Sequence, residues 1–431
     1  MRKLFAVLVL FCFLTACTQN TADLSSDMPV SLSEPDSLPD FSSGSSEPVS
    51  QPADVDSSEQ SLVSPESEPD PESQPESESE PVPEPELIRA HQILSGMTLN
   101  EKICQLFILS PEQLTGDSPV TAAGEKTREA LSENPVGGLI YFSKNLVSRE
   151  QTAEMLEKTQ SFSKYGLFLA VDEEGGLVSR VGNNPEMGTT VFPPMGQIQS
   201  DEEAYEVGFT IGTELLALGF NLDFAPIADV HSNFYSDVIG ERAFSSDPNV
   251  AAGRVSACVK GFCESGILCT LKHFPGHGDT VEDSHYGVAQ SEKTLERLAG
   301  CEFLPFSSGI EAGAPLVMVG HIALPNVTGE MTPATLCEPI VTGLLRERIG
   351  FRGVIVTDSM QMLAITENYS SGEAALLALE AGVDMILIPE DFFAAKEYLL
   401  EKISDGTLPI ERIDESVLRI LKAKLTYRIL E

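Results

Sequence analysis

Three of the chain's six histidines fall within sixteen residues, at His273, His277 and His285 of the segment 272–287. The same segment holds Lys272, Asp279, Glu282 and Asp283, is rich in glycine, and follows an apolar run, 267–271, that reads as a buried strand. Titratable groups crowded on a loop leaving a strand have the layout of an active site on a rigid scaffold. A metal site or a structural turn are the competing readings. Metal hydrolysis needs three or four ligands at fixed spacing, and no HxH or HExxH pattern appears. The Gly276-His277-Gly278 run lacks the context of a phosphate-binding loop. Glycoside cleavage fits better: it needs a carboxylate nucleophile and a proton donor on opposite sides of a C–O bond. Asp358, just past the apolar run 354–356, is the candidate nucleophile. Asp283-Ser284-His285 offers the donor, because residues two apart in an extended segment point the same way. A carboxylate beside imidazole favours the imidazolium and fixes its tautomer. An Asp–His pair that only braces the loop is the plainer alternative.

These residues need strands to hold them. Short apolar runs recur at 106–109, 138–142, 167–171, 222–225, 267–271, 316–319, 354–356 and 385–388. The first competes with a helix opened by the capping box Thr98-Leu99-Asn100-Glu101. Helical patterns such as 203–218 and 373–381 separate most of the others. Alternating β and α elements imply a parallel sheet covered by helices. Eight repeats in about 345 residues predict a (β/α)8 TIM-type barrel, with a doubly wound open sheet as the alternative. The reactive residues follow the strands: Asp172 to Glu174 after Val171, Asp229 after Phe224, Lys272 and His273 after Leu271, His321 after Val319, and Asp358 after Val356. A helix cap explains any one of them, Asp358 above all, but not the set.

Composition divides the chain. Residues 1–17 carry two basic residues, a short apolar run and Leu14-Thr15-Ala16-Cys17, which reads as a lipoprotein signal peptide with Cys17 as the lipid-bearing mature N-terminus. An ordinary signal peptide is the alternative. Residues 18–86 hold 18 acidic residues, 12 prolines and no Lys or Arg, the signature of a disordered, extended spacer. Residues 87–431 then form one catalytic domain, with 48 acidic against 25 basic residues, a net charge of −23. That surface argues against nucleic acid or anionic lipid as a partner. The lipid itself is the expected link to the membrane, on the outer face of an exporting cell. The domain's six scattered cysteines suit buried thiols better than a disulfide framework, with room for one or two bridges in an exported protein.

The motifs Met97-Thr98-Leu99-Asn100-Glu101-Lys102-Ile103, Val171-Asp172-Glu173-Glu174-Gly175-Gly176, Asp223-Phe224-Ala225-Pro226, Arg242-Ala243-Phe244, Lys272-His273-Phe274-Pro275-Gly276-His277-Gly278, Asp283-Ser284-His285, Val356-Thr357-Asp358-Ser359-Met360 and Ala381-Gly382-Val383-Asp384-Met385 resemble family 3 glycoside hydrolases. The branch they resemble is the single-domain β-N-acetylglucosaminidases (β-hexosaminidases), over essentially all of 97–427. The resemblance implies removal of terminal β-linked GlcNAc with retention, through a covalent glycosyl intermediate and without a cofactor or metal. It implies Asp358 as nucleophile and His285 paired with Asp283 as acid/base. It implies that Asp172, Arg180, Arg242, Lys272 and His273 hold the sugar, and that His277 shapes the loop; His321 lies at a strand end near the site or is a buried structural histidine. Three departures, Glu173 for Gln, Leu177 for Arg and Ala243 for Ser, fall where the pocket rim is expected. The chain has no Trp for stacking on long polysaccharides, which favours action on one terminal sugar. The expected substrate is a carbohydrate, with peptidoglycan fragments as its source, and the expected state is a monomer. A glucosidase or xylosidase, a GlcNAc phosphorylase, and a non-catalytic sugar-binding lipoprotein are the alternatives.

Overall fold

The computed structural model describes residues 84–234, 238–280, 284 and 287–430. Cys17, the signal peptide, nearly all of the acidic spacer, Asp283 and His285 therefore lie outside the described residues. Eight parallel strands follow the eight apolar runs: β1 (Phe107–Leu109), β2 (Gly138–Ile140), β3 (Phe168–Val171), β4 (Leu222–Asp223), β5 (Leu268–Phe274), β6 (Leu316–Val319), β7 (Val354–Thr357) and β8 (Ile386–Leu387). Their order is β7-β6-β5-β4-β3-β2-β1-β8. A parallel bridge between Val356 and Met385 joins the two ends, with Thr357 N–H donating to Met385 O at 3.0 Å. The sheet therefore closes as a barrel and the open doubly wound alternative fails. Each strand is buried along its length, which is why the runs read as continuous rather than alternating.

Helices cover the outside. The capping box at Thr98 forms as expected, with Thr98 N–H donating to Glu101 Oε2 at 2.8 Å. The helix it opens ends at Gln105, so Leu106 caps that helix and the first strand starts one residue later. An earlier helix, Pro85–Ser95, begins one residue before the expected end of the spacer, with Pro at a position where its missing N–H is not needed. Helices Asp201–Leu218 and Pro248–Ser265 approach closely through Gly208 and Gly261, where a Cβ would overlap the Cys258 and Tyr205 carbonyls respectively. All six domain cysteines are free thiols. Among the described residues no helix is long and apolar enough to cross a membrane.

The helix Ile410–Thr426 is fastened to the N-terminal ends of the strands by buried polar contacts. Asp384, just before β8, accepts from Ser416 Oγ at 2.7 Å, Arg419 Nη1 at 2.9 Å and Ile355 N–H at 2.9 Å, and pairs with Arg346. Lys424 enters the core with two oxygens as partners, Gln105 Oε1 at 2.7 Å and Gly166 O at 2.8 Å, and lies 5.1 Å from the Phe168 ring centre. Burial pulls its pKa down to about 7. The folded state therefore sheds this proton near pH 7, whereas the unfolded chain keeps it to about pH 10.4. Below pH 7 both states are charged and the burial penalty is in full force. Between those values the unfolded state binds more protons, so stability rises with pH, by on the order of 4 kcal/mol in total. Lys424→Met should remove most of that rise, as checked by guanidinium unfolding of both proteins from pH 6 to pH 10. An unchanged slope would refute the assignment.

Candidate active site

The C-terminal ends of the strands surround a cavity of about 570 Å³. Asp172 and Glu174 follow β3, Lys272 and His273 lie on β5, Asp358 follows β7, and Arg242 comes from the long connection after β4. Arg180 returns from a hairpin, Glu173–Gly175 paired with Val178–Ser179. All six described residues expected at a site, Asp172, Arg180, Arg242, Lys272, His273 and Asp358, line this cavity.

One wall is a lattice of alternating charge. Lys272, 3% exposed, places Nζ 3.0 Å from Asp172 Oδ1 and 2.6 Å from Glu174 Oε1. Glu174, 1% exposed, takes a bidentate pair from Arg242, both contacts at 2.9 Å. Arg180 Nη2 stands 3.7 Å from Asp172 Oδ2. Burial alone would raise the pKa of Glu174, but Lys272 and Arg242 outweigh it and hold the carboxyl at about 2. Burial would likewise lower Lys272, and Asp172 and Glu174 reverse this. Glu174 and Lys272 therefore stay ionised at neutral pH.

The sequence places Glu174 among the reactive residues after Val171 but assigns it no role at the site, although a signal exists. Side chains alternate along an extended segment, so Asp172 and Glu174 share a face and Glu173 takes the other. The structure shows this split. Glu173 is buried away from the cavity and accepts from Val181 N–H at 2.7 Å, Gly182 N–H at 3.0 Å and the Ser179 hydroxyl. It braces the hairpin rather than the rim, and burial pushes its pKa up. Ala243 is also buried, so of the three departures only Leu177, 90% exposed at the hairpin tip, meets solvent.

The facing wall is organised by Asp229, fully buried after β4. It accepts from the N–H groups of His273 (3.2 Å) and His277 (2.6 Å) and from His273 Nδ1 (2.8 Å). A carboxylate on Nδ1 fixes the tautomer and leaves Nε2 for the cavity that His273 lines. His277 bonds to Thr280 and Ser284 and does not line the cavity, in keeping with a role in shaping the loop. His321 is buried beneath Asp358, with Nδ1 2.8 Å from Thr335 Oγ1 and Nε2 3.0 Å from Ser359 O. It braces the strand ends, which favours the structural of its two readings.

Asp358 is no helix cap. One oxygen accepts from Ser359 N–H at 2.7 Å, and the side chain lines the cavity. Burial works against its ionisation, yet His273, His321, that N–H and Lys272 together hold its pKa below the usual carboxylate value. The site thus sets an ionised carboxylate beside fixed donors and acceptors. That arrangement can orient a polyol and attack an electrophilic carbon. Among the described residues no group of three or more His, Cys, Asp or Glu side chains is arranged to hold a metal ion.

The family model described as the glycosyl hydrolase family 3 N terminal domain matches residues 98–423. β-Hexosaminidase A of Pseudoalteromonas piscicida is 35% identical over 341 residues, covering 71% of this chain and 56% of that protein. A β-hexosaminidase of Idiomarina loihiensis is 34% identical over 304 residues, covering 69% and 88% respectively. A solved glycoside hydrolase family 3 β-N-acetylglucosaminidase from Paenibacillus sp. str. FPU-7 superposes with a TM-score of 0.73 at 38% identity, over 78% of this chain and 63% of that one. The chain thus spans little more than half of the first relative and under two-thirds of the solved structure.

Removing Glu174 leaves buried Lys272 and half-buried Arg242 with one carboxylate fewer. Glu174→Ala should lower the unfolding free energy by about 3 kcal/mol, the scale for breaking a buried ion pair. Glu174→Gln, which keeps an acceptor oxygen, should lose less. Urea titrations of the two variants check this, and equal losses would show that the charge is not what matters.

Proposed function

The chain belongs to glycosyl hydrolase family 3, and from that premise we propose that it is a retaining, exo-acting β-N-acetylglucosaminidase. The observation that carries the reading is Asp358: a carboxylate kept ionised at a strand end, in the wall of the cavity that also holds the charge lattice. In the first step Asp358 attacks the anomeric carbon and the bond to the leaving oxygen breaks, giving a glycosyl ester. His285, paired with Asp283, gives that oxygen its proton. In the second step the pair takes a proton from water, which displaces Asp358 and restores the starting configuration. Asp172 accepts hydrogen bonds from sugar hydroxyls, while Arg180, Arg242, Lys272 and His273 donate to hydroxyls and the N-acetyl oxygen. Among the described residues Arg180 Nε is buried with no hydrogen-bond partner, as a donor reserved for a ligand would be.

The lattice supports a sugar rather than an anion as ligand. Asp172 and Glu174 offset two of its three cations and Asp358 in the same cavity wall offsets the third, so little net positive charge is left to attract a phosphate or carboxylate. The cavity is within the usual range for a small molecule, about 300–1,000 Å³, and the chain has no Trp for a stacking track. Both features favour one terminal GlcNAc over a running polymer. The enzyme is proposed to act as a monomer without a cofactor. The export signal and Cys17 support a lipid anchor on the outer face of the membrane, with the acidic spacer as tether and peptidoglycan fragments as substrate.

Two outcomes are expected. Aryl β-GlcNAc should be cleaved far faster than aryl β-glucoside, and Asp358→Asn should slow the first by at least about 10³-fold without loss of fold. A variant that keeps its rate would sink the mechanism, and GlcNAc-1-phosphate formed on adding phosphate would make the enzyme a phosphorylase. Separately, Cys17→Ala should move the protein from the membrane fraction to the soluble one; retention in the membrane would refute the anchor.

A further inference from the structure

We propose that the part of the cavity away from the charge lattice receives the leaving group, and that Lys144 there selects a leaving sugar that carries a carboxylate. The inference rests on the reading of Asp358 as nucleophile. The lattice stands on β5 and on the connections after β3 and β4, and Asp358 follows β7. The rest of the wall lines the same cavity without belonging to the lattice: Phe142 and Lys144 after β2, Gln361 and Met362 after β7, and Ile388 after β8. A sugar held by its hydroxyls on the lattice, with its anomeric carbon at Asp358, extends the group on its anomeric oxygen away from those hydroxyls. The wall from β7 through β8 to β2 is then free for that group.

This wall is built before any ligand arrives. Lys144 lies in the short turn Ser143–Asn145, which buried Asn145 fixes. Asn145 Oδ1 accepts from Phe142 N–H at 2.9 Å, and its Nδ2 donates to Glu112 Oε1 at 2.7 Å and Val120 O at 2.9 Å. The same Glu112 oxygen accepts from Val120 N–H at 3.0 Å. Half-exposed Lys144 places Nζ 3.3 Å from the other oxygen, Glu112 Oε2, yet that oxygen has no hydrogen-bond partner among the described residues. Glu112 thus steadies the ammonium without taking its N–H groups. A carboxylate in the cavity would accept them as charge-assisted hydrogen bonds. Beside it, Met362 and Ile388, each 6% exposed, give the apolar surface that a small-molecule site needs around a few polar anchors. Ile388 holds φ at 45°, a left-handed conformation costly for a β-branched residue and of the kind retained at binding sites.

The test varies the leaving sugar alone. kcat/KM is measured on GlcNAc β-linked to N-acetylmuramic acid, whose lactyl group ends in a carboxylate, and on the methyl ester of the same disaccharide. The wild-type enzyme should prefer the acid by about fivefold, the upper end for a half-exposed ion pair, and chiefly through KM. Lys144→Met should abolish the preference, and Lys144→Arg should keep most of it. Equal rates on acid and ester in the wild type, or a preference that survives in Lys144→Met, would overturn the proposal. Aryl β-GlcNAc runs beside them with the wild type. If it is not turned over, the β-N-acetylglucosaminidase reading itself fails; if it is turned over while acid and ester are cleaved equally, only the leaving-group site falls.

Discussion

Asp229 is the constraint on which the catalytic end of the barrel depends. Its buried carboxylate meets two backbone N–H groups and one imidazole on either side of the turn that ends β5. Without such an acceptor those N–H groups would be buried and unpaired, which is among the more destabilising states a backbone can adopt. The chain from Lys272 to His277 is therefore held by the satisfaction of main-chain donors as well as by side-chain packing. Ala228 N–H donating to Lys272 O at 2.7 Å ties the same turn to the connection after β4. The result is a rigid corner from which a cation and two imidazoles project along set directions.

That corner tolerates a partly buried charge lattice because the charges alternate. An isolated ion in such a place loses several kcal/mol of solvation. Here Arg180, Asp172, Lys272, Glu174 and Arg242 follow one another so that each neighbour has the opposite sign. The arrangement is fixed before any ligand arrives, and fixed dipoles and charges need no reorganisation during a reaction. At the other end of the strands, Asp384 with its arginines and Lys424 with its two oxygens do structural work. The barrel thus separates stability from chemistry along its axis.

Much of this was legible in the sequence because parallel strands buried on both faces must be apolar throughout. All eight runs became strands; Asp172, Glu174, Lys272, His273 and Asp358 after them line the cavity, while Glu173, Asp229 and His321 brace it from behind. Closure was not legible: the apolar runs are compatible with an open sheet, and only the Val356–Met385 pairing decides. Glu174 was obscured within a run of three acids, where composition does not show which carboxylate faces inward. Nothing in the local sequence sets Lys424 apart from the other lysines of its segment. Its burial follows from where Ile410–Thr426 brings it against Gln105, Gly166 and Phe168, a tertiary fact that no local window contains.

The lattice also has a bearing on inhibitors. Its cations already have partners, whereas Asp358 faces the cavity as an anion. A sugar mimic with a protonated ring nitrogen close to Asp358 would gain Coulombic attraction there. A mimic carrying its charge on the far hydroxyl side would meet cations and carboxylates that already offset one another and would gain less. Affinity for a charged ring analogue should thus depend on which ring atom bears the charge, and so map the cavity's polarity atom by atom.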